Sequence, residues 1–156
     1  MRVLGPVSLA EDGTPVVVAG GPRRRALLAL LVADLGRPVP VDRLVDGLWH
    51  DPPATAANVV QVHFSHLRRQ LPAGFALEWT GAGYRLDASP DDVDLGRFEG
   101  LLNEAAAAER QGLAEVAADA LARALDLWSG DPVEGLGDLP CTEVLRRSLD
   151  IRRGRA

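Results

Sequence analysis

Two stretches of this chain predict an α+β winged helix-turn-helix followed by an all-α, tetratricopeptide-like helical hairpin. Residues 41–86 read as a short helix, a proline-broken turn, a longer helix ending in a double arginine, and a glycine-pivoted hairpin. A helix held against a helix, with a two-stranded wing beside it, is the arrangement that fits a duplex major groove. After residue 90 the composition turns alanine-rich and acidic, with two amphipathic runs on either side of Gly112. The boundary is expected in the short linker 87–90, between a winged-helix part over 1–88 and a helical part over 93–156.

The elements follow in order. Residues 3–4 and 7–9, a turn at Glu11, Asp12 and Gly13, and residues 16–18 read as short antiparallel strands that form a small N-terminal sheet. Pro22 suits the first helical position after Gly20 and Gly21, and that helix is expected to close near Gly36 with Leu27, Leu30, Leu31 and Leu35 as its buried stripe. A second helix over 41–49 buries Leu44, Val45 and Leu48 and ends on Trp49. Pro52 and Pro53 then lead into Thr55, the expected N-cap of a helix over 55–71. At about 100° per residue, Ala56, Val60, Phe64, Leu67 and Leu71 fall on one stripe, which predicts the core-facing side. Phe75, Leu77 and Trp79 alternate with polar or small neighbours, and Tyr84 and Leu86 resume after Gly81, Ala82 and Gly83. That pattern predicts a hairpin packed on one face with its tip at 80–83.

In the second part, a helix over about 95–110 turns Phe98, Leu101, Leu102 and Ala105 inward, and one over 113–128 aligns Ala117, Ala120, Leu121, Ala124 and Trp128. Small alanines facing larger side chains across a tight turn describe the unit of a helical solenoid. A third helix near 142–153 covers it only in part. The stretch therefore reads as the opening of a longer helical domain, or as one completed by another chain.

The free face of helix 55–71 carries Thr55, Asn58, Val62, Ser65, His66 and Arg69, flanked by Gln61 and Arg68. Short polar groups, a methyl-bearing side chain and arginine are the residue types that read base edges and phosphates. His63 and His66 have a spacing known in metal sites, but their helical directions differ by about 60° and no third ligand stands near. No metal, cofactor or catalytic residue is expected. The lone GxG precedes a strand and so fails the context of a phosphate loop, and Asp91, Asp92 and Asp94 have no histidine or lysine beside them to form a catalytic set.

Composition narrows the classes further. All 17 basic residues of the 156 are arginine, which removes P-loop, Schiff-base and kinase lysine chemistry. The single cysteine, Cys141, excludes an intrachain disulfide and fits a reducing cytoplasm. The apolar run over 26–35 is too short to span a bilayer, so no membrane partner is expected. The net charge of −5 is uneven: residues 1–90 carry +1 and residues 91–156 carry −6. The basic footprint of a nucleic-acid binder must therefore be local, in Arg68, Arg69, Arg85 and the Arg23–Arg25 cluster, whose expected role is a solvated first helical turn.

Blocks in one order along the chain resemble SARP/AfsR/DnrI-type transcriptional regulators of actinobacteria: VLGPV at 3–7, GGPRRRALLALL at 20–31, VDRLVDGLW at 41–49, PATAANVVQVHFSHLRRQL at 53–71, GAGYRL at 81–86, DLGRFEGL at 94–101 and ALDLWSGDP at 124–132. The resemblance implies an OmpR-like winged helix followed by part of a bacterial transcriptional activation domain. It implies binding to double-stranded promoter DNA, often at direct repeats, with a homodimer on DNA as one arrangement, and activation of a biosynthetic gene cluster through RNA polymerase. By motif position it places Asn58, Val62, Ser65, His66, Arg68 and Arg69 on the reading helix. Thr80 and Ala82 fall at the wing tip, and Trp49 at a backbone-contacting position. The chain departs from many OmpR-like wings in having Thr80 where they carry arginine. A helical protein-interaction adaptor, with the winged helix as a docking module only, is the alternative.

Overall fold

A computed structural model of the chain describes residues 1–11 and 14–156. The first hairpin pairs β1 (Ser8–Glu11) with β2 (Thr14–Val17) antiparallel, Leu9 opposite Val16. Of the turn expected at residues 11–13, Asp12 and Gly13 lie outside the described residues. Helices α1 (Pro22–Ala33), α2 (Val41–Leu48) and α3 (Ala56–Arg68) follow, then β3 (Ala76–Trp79) and β4 (Tyr84–Asp87), paired antiparallel with Leu77 opposite Leu86. A 3-10 turn (Pro90–Asp92) leads into α4 (Asp94–Arg110), α5 (Ala114–Leu125) and α6 (Pro140–Arg153). No helix among the described residues is long and apolar enough to cross a membrane.

Expected and observed bounds differ for local reasons. Helix α1 stops at Ala33, three residues before Gly36, which takes φ 74° in the turn that follows. Its burial is wider than a stripe, since every residue from Ala26 to Val32 is buried. Thr55 does occupy the N-cap of α3, but its side chain makes no capping hydrogen bond; the Ala56 amide donates to the Pro53 carbonyl instead. Helix α3 ends at Arg68, and Leu71 packs on the core from the turn beyond. Helix α6 begins at Pro140, which puts Cys141 and Thr142 in its buried first turn.

Residues 3 and 4 do not form a strand of the first sheet. Their backbone pairs with the loop before α6: the Ser129 amide donates to the Leu4 carbonyl, and the Val133 amide to the Val3 carbonyl. The Asp94 carboxylate completes this joint by accepting from the amides of Val3, Leu4 and Leu95 at 2.8–2.9 Å. Burial pushes the Asp94 pKa upward, and the three amides pull against it. The Arg25 guanidinium spans from α1 to the Gly135 carbonyl through two bonds of 3.0 and 2.8 Å. One contiguous core runs through Leu4, Leu28, Leu44, Phe64, Leu86, Phe98, Leu136 and Leu145, and so includes both sides of the stretch 87–90.

The C-terminal helices pack α4 on α5, with Ala105, Ala108, Ala117, Ala120 and Ala124 buried between them. Leu101, Leu102 and Leu121, expected fully inward, are only half-buried because alanines already fill the close approach. Trp128 is half-buried, edge-on to Phe98 at 5.4 Å and beneath Arg153 at 5.0 Å.

Candidate nucleic-acid interface

Helix α3 is fixed by its apolar stripe. Val60, Phe64 and Leu67 are fully buried, and the Phe64 ring lies 4.1 Å from that of Tyr84 in the wing. With that side pinned, the opposite ridge has to face outward. Asn58, Val62, Ser65 and Arg69 are all exposed, and Val62 is 55% accessible. Gln61 is exposed beside them, and His66 is half-buried. The Ser65 hydroxyl donates back to the Gln61 carbonyl, and Arg69 meets His66 Nδ1 at 2.8 Å. A polar tether holds the chain just beyond the C-terminal end of the helix: Gln70 accepts from the Ala19 amide at 2.9 Å and donates to its carbonyl at 3.3 Å.

The wing is seated by β4. The Val39 amide donates to the Tyr84 carbonyl at 2.8 Å and the Tyr84 amide returns a bond to Val39 at 3.0 Å. Gly83 allows this approach, since a Cβ there would collide with the Val39 carbonyl, and its φ of 154° disfavours any side chain. Arg68 ties helix to wing, its Nε donating to the Leu77 carbonyl at 2.8 Å and its guanidinium lying 6.0 Å from the Tyr84 ring. At the tip, the Thr80 hydroxyl and amide both donate to the Gly83 carbonyl, so Thr80 closes the turn. Ala82 is exposed.

Two expectations about charge and packing change here. Arg85 does not lend free positive charge to the wing: it pairs with Asp87 at 2.7 Å and with Glu78 at 3.4 Å. Trp79 was expected on the packed face of the hairpin, yet it is 55% exposed. It lies opposite Tyr84, at the strand end, and packs edge-on to that ring at 5.2 Å, because Tyr84 and Phe64 already fill the space beneath.

The arginine cluster at the start of α1 is anchored rather than simply solvated. Arg23 lies over the half-buried Trp49 ring at 5.3 Å, Arg24 donates to the Ala19 carbonyl, and Arg25 reaches Gly135. Sequence reasoning missed the Arg23 and Trp49 pair because the partners are 26 residues apart, one in the first turn of α1 and the other just past the end of α2. The local field acts on His63, whose pKa is lowered first by burial and then by Arg24, Arg23 and His66. Its Nδ1 is buried without a hydrogen-bond partner. No cluster of three potential metal ligands occurs among the described residues. Cys141 is buried, which pushes its thiol up to about 11 and makes it unreactive at neutral pH.

Comparison with known families and structures falls on the same two stretches. Residues 14–86 match the family described as transcriptional regulatory protein, C terminal, and residues 93–156 match the bacterial transcriptional activator domain. The chain is 37% identical over 153 residues to the transcriptional regulatory protein EmbR of Mycobacterium tuberculosis, covering 94% of this chain and 39% of that protein. It is 38% identical over 136 residues to the regulatory protein AfsR of Streptomyces coelicolor, covering 86% and 14%. To the regulatory protein DnrI of Streptomyces peucetius it is 34% identical over 143 residues, covering 84% and 52%. The chain thus spans less than two thirds of each of these relatives. A solved structure of M. tuberculosis EmbR in complex with a low-affinity phosphopeptide superposes with a TM-score of 0.89 at 35% identity, over 98% of this chain and 42% of that one.

Proposed function

The chain belongs to the SARP/AfsR/DnrI-type regulators, and from that membership we propose that it is a sequence-specific, DNA-binding transcriptional regulator that activates a biosynthetic gene cluster. The observation that carries the reading is the outward ridge of α3, where packing leaves Asn58, Val62, Ser65 and Arg69 free on one face. In the major groove, Asn58 and Ser65 meet base edges, Val62 meets a thymine methyl, and Arg69 with His66 meets guanine or phosphate. Arg68 and Trp49 lie toward the backbone, with Thr80 and Ala82 at the tip of the wing. Residues 1–88 form the reading part. Residues 93–156 form a tetratricopeptide-like activation part that meets RNA polymerase. Binding at direct repeats by two copies fits promoters of this kind.

A titration of the chain against duplex DNA over a range of salt tests the proposal. Electrostatic contact with phosphates gives a log affinity that falls linearly with log salt. A footprint on the region upstream of its own coding sequence, extended when polymerase is added, supports activation. Absence of salt-dependent duplex binding, with retained binding to a protein partner, identifies the adaptor instead.

A further inference from the structure

Between α3 and the wing lies a cleft of about 420 Å³, lined by Val41, Asn58, Gln61, Arg68, Trp79 and Tyr84. Its walls are the two parts of the molecule that enter neighbouring grooves when α3 reads the major groove. The sugar-phosphate strand that separates those grooves must therefore run across it. None of the residues lining the cleft carries a carboxylate. Asn58 and Gln61 offer amide donors on one wall. Arg68 closes the floor, held by Leu77, and it enters no ion pair among the described residues.

Trp79 stands out on the other wall. A large indole left 55% exposed at the end of a four-residue strand is held at fixed orientation by the Tyr84 ring and the strand pairing. An indole offers an apolar face to a deoxyribose and an N–H to a phosphate oxygen. The wing tip has no comparable group, since Thr80 spends its hydroxyl proton on closing the turn and Ala82 has only a methyl. We infer that Trp79, with Arg68, seats one deoxyribose-phosphate unit of the duplex backbone in this cleft, so that the wing engages DNA through the strand pair just beneath its tip, Trp79 opposite Tyr84. The inference rests on the reading of α3 as the duplex-reading helix, and it assigns to the wing strand a contact that positions the helix in register.

The test uses the full chain and a mixed-sequence duplex of about two helical turns. Trp79→Ala is expected to weaken binding on the order of tenfold at every salt concentration while leaving the slope against log salt unchanged, because an apolar contact releases no counterion. Trp79→Phe recovers most of the affinity. To separate contact from support of the hairpin, tryptophan quenching by acrylamide is read with and without duplex: the native chain gains protection on binding, and the Trp79→Phe chain, which keeps the aromatic pair with Tyr84, retains only the smaller gain that the half-buried Trp49 can contribute. Equal duplex affinity for Trp79→Ala, or equal protection in both chains, overturns the assignment while the α3 reading stands. Preference of the native chain for the separated single strand over the duplex also overturns it, and failure of the native chain to bind duplex at all removes both.

Discussion

Helices α1 and α3 have 12 and 13 residues and contribute to one core, yet their surfaces are opposite in kind. Every residue from Ala26 to Val32 in α1 is buried, because α2, α6 and the wing pack around it. Helix α3 buries only Ala56, Val60, Phe64 and Leu67. Packing therefore accounts for the composition of α1 from Ala26 to Val32. It accounts for one side of α3 and leaves the ridge through Asn58, Val62, Ser65 and Arg69 without a role inside the fold. A helix that the core holds rigidly on one side and ignores on the other is a good platform for recognition, since binding does not have to order it.

The comparison can be broken most forcefully from the buried side. Phe64→Ala removes a fully buried ring that also packs on Tyr84, and is expected to cost about 3–5 kcal/mol in denaturant unfolding. Because the core is continuous, the loss should appear as one transition, and two separated transitions would contradict it. On the free side the effects move from stability to binding. Arg69→Ala leaves unfolding nearly unchanged, weakens duplex binding across sequences, and lowers the slope of log affinity against log salt by about one if it holds a phosphate. Val62→Ser is smaller still, on the order of 1 kcal/mol at a single base pair, read as changed preference at one position in a binding-site selection.

The smallest effect tests the boundary between the two sides, where His63 sits. Burial and the neighbouring Arg24 and Arg23 lower its pKa from 6.5. The folded chain therefore binds fewer protons than the unfolded one, so stability is full above 6.5 and falls as pH drops through 6.5 toward the folded value. His63→Gln should flatten the decline in melting temperature between about pH 7 and pH 5. A decline of equal steepness in the variant would place its origin elsewhere.

Much of this was legible before any coordinates. The stripe of Val60, Phe64 and Leu67 set the orientation of α3 by helical period alone, and with it the exposed ridge. The alternation around Gly81 and Gly83 located the wing. What the sequence did not contain was pairing across distance. Asp94 reads as a solvated acid ahead of a helix, and only the fold brings the amides of Val3 and Leu4 to it. Period-two alternation put Trp79 inside, since periodicity cannot register that Tyr84 and Phe64 have already taken the space. Arg85 looked basic until its cross-strand neighbour Glu78 and its near neighbour Asp87 neutralised it.

The most direct measurement is protection of guanine N7 in the major groove of bound duplex from methylation, compared between the native chain and Asn58→Ala/Arg69→Ala. Entry of the α3 ridge predicts a short protected patch with the native chain that is lost in the double variant, whose folding is unchanged. Tight duplex binding with every N7 as reactive as in free DNA would contradict the account, because the ridge would then lie outside the groove.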